Sequence, residues 1–200
     1  MRKLLVITTA LVLCLASQPG IAGESTLVQV NADTLASLRF PFSGSDAHRA
    51  YLGIPAGETL ALKEVKADNL LIVVFNAFCT ICQADAPFLN AMYQMVEEDL
   101  ALKGRTKVVG IATGNTAAEV EDFRQKYQVP FPLVADTNYS LSKAMPENLR
   151  TPMLVAARTS APEGIQIIST HFGAVDDPGQ LLGQRLRSAM LGTGAHADIP

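Results

Sequence analysis

The segment FNAFCTICQADAP, residues 75–87, constrains this chain more than any other. An apolar run at 70–75, rich in branched side chains, leads into it. Such a run suits a strand buried on both faces. Cys79 and Cys82 follow, with Thr80 and Ile81 between them and Phe78 before them; Asp85 and Pro87 come after. Residues 79–102 then carry Ile81, Leu89, Met92, Met95, Val96 and Leu100 at helical spacing, and Gly104 is the expected stop. Two thiols one helical turn apart, at the junction of a buried strand and a helix, admit three readings. They are redox chemistry, half of a metal site, or core packing.

The same alternation continues. A second buried strand is expected at 108–112, a helix at 117–127, a short strand at 131–135 and a small helix at 140–145. Residues 153–157 and 165–170 read as a hairpin, with Pro162, Glu163 and Gly164 in the turn. A helix at 178–191 closes the domain. This order predicts an α/β fold, a central mixed sheet flanked by helices, because parallel pairs need helical crossovers and the chain supplies them. Residues 59–65 read as a short strand and turn. Upstream, 23–58 shows no sustained period; short strands are expected near 27–30 and 51–54. Phe40, Phe42 and Tyr51 in this stretch either pack back on the domain or meet a partner, and packing is the expectation.

The N-terminus addresses compartment. Arg2 and Lys3 precede an apolar run at 4–16, which Ser17, Gln18, Pro19 and Gly20 break before the small residues around Ala22. This is the layout of a secretory signal, cleaved after Ala22. The run is shorter than the roughly 20 apolar residues of a membrane span. An uncleaved anchor is the alternative; a lipoprotein at Cys14 is disfavoured by bulky Leu13. The predicted organisation is therefore a signal peptide at 1–22, an N-terminal extension at 23–56, the main domain at 57–191 and a loose tail at 192–200. Membrane contact is expected only through the signal, and the mature protein is expected to be exported and periplasmic.

Cleavage would leave Cys79 and Cys82 as the two cysteines, in an oxidising compartment where disulfides persist. A bridge closing so small a loop stabilises a fold little. Net charge is −3, with no basic block, so nucleic acid is not an expected partner. A zinc site would want more ligands than the pair provides. The remaining histidines, His48, His171 and His196, have no ligand-like spacing. Redox chemistry is thus the leading reading, with a Cys79–Cys82 disulfide in place of any cofactor.

At the start of a helix, the Cys79 sulfur meets unpaired N–H groups and the positive end of the helix dipole, which favour a thiolate. Cys82, one turn on, is placed to resolve a mixed disulfide held on Cys79. Pro87 cannot donate to the carbonyl of Gln83, so a kink is expected there. Asp85 either moves protons near the thiols or is a solvated helix residue. Thr151-Pro152, just before a strand, holds either a cis bond facing a partner peptide or an ordinary trans proline.

Residues 57–191 resemble the thioredoxin-like fold, in its exported TlpA/ResA-like branch of thiol–disulfide oxidoreductases. CTIC after a buried strand, the acid and proline of CQADAP, and Thr151-Pro152 carry the resemblance, and residues 110–136 resemble the same branch and peroxiredoxins. It implies a cis Pro152 opposite the dithiol, a partner surface including Phe78, Thr80, Ile81, Thr151 and Pro152, and a catalytic part for Asp85. It also implies exchange with protein thiols and disulfides, and a membrane thiol transporter as electron donor. The chain departs from relatives at Val73, where thioredoxins carry a buried Asp, and at Phe78, where Trp is usual. Thr80-Ile81 matches neither a Gly-Pro reductant nor a Pro-His oxidant; the branch favours a reductant. Two other functions compete. A thiol peroxidase would want Thr or Ser at the place of Asn76. A Sco-like copper chaperone would need His171 beside the cysteines.

Overall fold

The computed structural model describes residues 32–145, 149–161 and 164–192. The signal peptide expected at 1–22 with Cys14, the strand expected near 27–30, Pro162 and Glu163 of the expected hairpin turn, and the tail residues 193–200 with His196 lie outside the described residues.

In chain order the elements are α1 (Ala32–Ser37), β1 (Arg39–Pro41), α2 (Asp46–Leu52), β2 (Thr59–Ala61) with a 3-10 turn at Leu62–Glu64, then β3 (Asn69–Phe75) and α3 (Thr80–Glu98). There follow β4 (Thr106–Thr113), α4 (Ala117–Lys126), β5 (Leu133–Asp136), α5 (Ser140–Ala144), β6 (Met153–Ala161) and β7 (Gly164–Phe172). The C-terminal helical segment is α6 (Pro178–Gln180), a π-helical stretch Leu181–Leu186, and α7 (Arg187–Leu191).

Five strands form one mixed sheet in the order β5-β4-β3-β6-β7. β3 runs parallel to β4 and antiparallel to β6, so the strand leading to the cysteines is central. All seven of its residues are buried, as the branched apolar run requires. Leu71, Val73 and Phe75 face a core with α3, α4 and the C-terminal helices; Leu70, Ile72 and Val74 face a second core. Both crossovers, β3-α3-β4 and β4-α4-β5, step the same way across the sheet, so α3 and α4 cover the same face.

The second face is covered from upstream. Leu35, Phe40, Leu52, Leu60 and Leu62 pack there with Leu141 of α5. Phe40 and Phe42 are buried, so these aromatics pack back on the domain as expected. The thioredoxin-like mixed sheet flanked by helices is thus the observed fold.

Three expectations are corrected. Residues 51–54 form no strand: α2 runs to Leu52, opened by the Ser45 hydroxyl accepting from the His48 N–H and closed by Gly53 at φ 64°. These are ordinary cap signals. The helix after the cysteines ends at Glu98, well before Gly104, because the Asp99 carboxylate accepts from Ala101 N–H and turns the chain. Leu100 is therefore 94% exposed. Ile81 and Met95 also face outward; the buried stripe is Cys82, Asp85, Ala86, Leu89, Met92 and Val96.

Candidate active site

The site sits where β3 ends and α3 begins. Cys79 is the N-cap of α3, in extended conformation at φ −72° and ψ 116°. Its sulfur accepts from the Cys82 N–H at 3.3 Å and lies 3.8 Å from the Thr151 carbonyl oxygen. Burial opposes ionisation of Cys79. Bonds from the Cys82 thiol, from the Cys82 backbone, from Thr151 and from the Ile81 backbone outweigh it, and its pKa falls below that of an ordinary thiol. Cys82 is 1% exposed. Burial first, and the thiol bond to Cys79 second, push its pKa up to about 12. One sulfur is reachable and acidic, and its neighbour is buried and protonated. That is the division of labour a nucleophile and a resolving thiol need.

The loop carrying Cys79 is fixed by groups that the sequence did not single out. Asn76 donates from Nδ2 to the Thr113 carbonyl at 2.8 Å, and its Oδ1 accepts from Phe78 N–H at 2.9 Å. Buried Asn115 accepts from Ala77 N–H through Oδ1 at 2.9 Å. Gln83 reaches back from α3 to the Ala77 carbonyl at 2.8 Å. An asparagine just past each of two adjacent buried strands, Asn76 directly after β3 and Asn115 two residues after β4, was the available signal.

Thr151-Pro152 is cis, and the Thr151 carbonyl faces Cys79. Phe78, Thr80 and Ile81 are exposed around the nucleophile, Phe78 at 67%. Between this loop and α4 lies a hollow of about 230 Å³, lined by Phe78, Gln83, Phe123 and Tyr127 among others. Pro87 lies inside α3, which continues through it to Glu98.

Asp85 is not a solvated helix residue. It is 2% exposed, and its Oδ1 accepts from Val175 N–H at 2.7 Å. Burial raises its pKa, against the Val175 bond and the charge of His171. His171 sits near the end of β7, opposite Leu154, with Nε2 2.9 Å from the Ala174 carbonyl oxygen. It therefore lies at the same end of the sheet as the cysteines. Among the described residues no group of three or more His, Cys, Asp and Glu is placed to hold a metal ion.

Fold and site together define a thioredoxin-like dithiol protein. Residues 44–160 match the AhpC/TSA family, and the chain belongs to it. Thiol-disulfide oxidoreductase ResA of Bacillus subtilis (strain 168) is 24% identical over 95 residues, 48% of this chain and 50% of that protein. A ResA of Bacillus cereus is 24% identical over 80 residues, 40% of this chain and 43% of that protein. The chain spans about half the length of the curated relatives it matches. Among solved structures, StoA from Bacillus subtilis superposes with a TM-score of 0.51 at 19% identity, covering 72% of this chain and 93% of StoA. A putative thiol:disulfide interchange protein DsbE from Chlorobium tepidum gives 0.57 at 12% identity, covering 76% and 92%.

Proposed function

We propose that the protein is an exported thiol–disulfide oxidoreductase that exchanges disulfides with partner proteins through Cys79 and Cys82. The observation that carries this reading is the pair itself: Cys79 at the mouth of α3 with a lowered pKa, Cys82 buried behind it with a raised one. The Cys79 thiolate attacks a partner disulfide. A Cys79–partner bond forms, and one partner sulfur leaves as a thiolate. Cys82 then attacks Cys79, the intramolecular disulfide forms, and the second partner thiolate departs. Two electrons pass to the partner. Phe78, Thr80, Ile81, Thr151 and Pro152 flank the sulfur and contact the partner chain. Asp85, one turn beyond Cys82 and inclined to hold a proton, takes part in proton movement during resolution.

The branch favours work as a reductant in the periplasm, with a membrane thiol transporter restoring the dithiol. Insulin reduction tests the core of the reading. Reduced protein should accelerate precipitation of the insulin chains, and Cys79→Ser should bring the rate to background. Retained activity in that variant defeats the assignment. Asn76, three residues before Cys79, builds the loop through its amide and brings no hydroxyl. Reaction with peroxide is accordingly expected at the slow rate of an ordinary thiol.

A further inference from the structure

A surface helix of a globular protein normally turns a polar face to water. α3 does not. Between Thr80 and Gln94 its exposed residues include no charged side chain. Ile81, Ala84, Phe88, Ala91 and Met95 are all exposed and recur at intervals of three and four. This is the spacing of a helix–helix seam. It runs about 21 Å along the helix, at 1.5 Å per residue. Five of the seven large hydrophobics exposed among the described residues lie on α3 or within two residues of its ends: Phe78, Ile81, Phe88, Met95 and Leu100. Scattered exposure needs no explanation, whereas a contiguous apolar face marks an interaction.

We propose that this face joins two copies of the chain, with the α3 helices packed antiparallel about a two-fold axis. The seam is complementary to itself. In antiparallel register Phe88 falls opposite Ala91 of the partner subunit, and Met95 opposite Ala84 of the partner subunit. Phe88 and Met95 thus each meet an alanine, Ile81 falls opposite Glu98 of the partner subunit, and a single patch serves both copies, as two-fold symmetry demands. The ends match in charge. Glu98 of the partner subunit comes beside the N-terminus of α3, the positive end of the helix dipole. The two copies of Glu98 lie at opposite ends and do not repel. The uncharged centre leaves no ion to desolvate.

The arrangement also bears on the thiols. It brings Leu100 of the partner subunit to the end of α3 that carries Phe78, Ile81 and Cys79, so each copy extends the apolar rim around the other's nucleophile. A single helix pair covers less than the roughly 1,600 Å² of a standard interface. The dimer is therefore reversible.

Sedimentation velocity across micromolar to near-millimolar concentration should show a monomer passing to a dimer. Phe88→Glu, an exposed substitution that leaves the core untouched, should raise the dissociation constant more than about tenfold, because it sets a charge at each side of the axis. Leu100→Ala should weaken the dimer less. Geometry is read by cross-linking in a chain stripped of its own cysteines. Ala91→Cys should form an intermolecular disulfide readily, and Ile81→Cys, whose two copies lie at opposite ends, should not. A wild-type chain that stays monomeric throughout overturns the proposal. So does a Phe88→Glu dimer as tight as the wild type, or an Ile81→Cys bridge as efficient as the Ala91→Cys one.

Discussion

At the scale of single residues, the two thiols differ more than their sequence suggests. Both belong to one CxxC, yet Cys79 borrows N–H groups at the helix mouth while Cys82 is sealed among apolar neighbours. Alkylation of the reduced protein should therefore label Cys79 alone at neutral pH, and Cys82 should resist until the solution approaches its pKa of about 12. Peptide mass spectrometry after timed iodoacetamide reads this; equal labelling would contradict it. Asp85 gives a second test. Its folded pKa is raised by burial, so the native state holds the proton to higher pH than the unfolded chain does. Stability must then fall as pH rises from the ordinary carboxylate value of about 3.9 to the folded value. The full cost is present above that window and absent below it. Asp85→Asn keeps an oxygen for the Val175 N–H and removes the charge. Urea denaturation across pH should show the variant gaining on the wild type as pH rises through the window. A difference that does not change with pH would show that the carboxylate is not strained.

At the scale of elements, most of the chain was legible because local pattern and tertiary demand agree. The run at 70–75 reads as a doubly buried strand and is one. The helix and strand order after it was readable for the same reason. Legibility failed where a side chain or cap overrides periodicity. Asp99 ends α3 early and strands Leu100 outside, and SDAHRAYLG carries helix caps that a strand reading of 51–54 missed. Asp85 was undecidable from spacing alone, since one turn beyond Cys82 points inward or outward depending on where the C-terminal loop packs. The Val175 contact, 90 positions away, settles that it is buried. The polar clamp on the active loop left only the two asparagines past β3 and β4 as its signal, because its bonds are made across strands. Its buried member, Asn115, joins the loop after β3 to the start of α4 by accepting from Ala77 and donating to Glu119. Asn115→Ala leaves the Ala77 N–H without its partner. That should cost about 1–3 kcal/mol, read by urea denaturation. Loss of exchange rate in a stably folded Asn115→Ala protein would assign the clamp to holding Cys79 in place.

At the scale of the molecule, the sheet needs cover on both faces, and its two covers come from different parts of the chain. The face behind α3 is closed by the helices that follow β3. The other is closed chiefly by residues that precede it: Leu35, Phe40, Leu52, Leu60 and Leu62 lie against Leu70, Ile72 and Val74. β1 and β2 make their own small antiparallel ribbon, with Phe40 opposite Leu60, so this segment is held by both backbone pairing and burial. Phe40 is 1% exposed, and it packs on the face opposite the dithiol. Phe40→Ala should then cost about 3–5 kcal/mol, as large aromatic truncations in a core do. Chemical denaturation would measure it. At concentrations where the protein remains folded, the rate of insulin reduction should stay near wild type, because the lost contacts lie across the sheet from Cys79. A loss of less than about 0.5 kcal/mol, the size expected of a surface change, would mean that residues before β3 rest on the sheet without stabilising it. The dithiol would then depend for its setting on the α3 face alone.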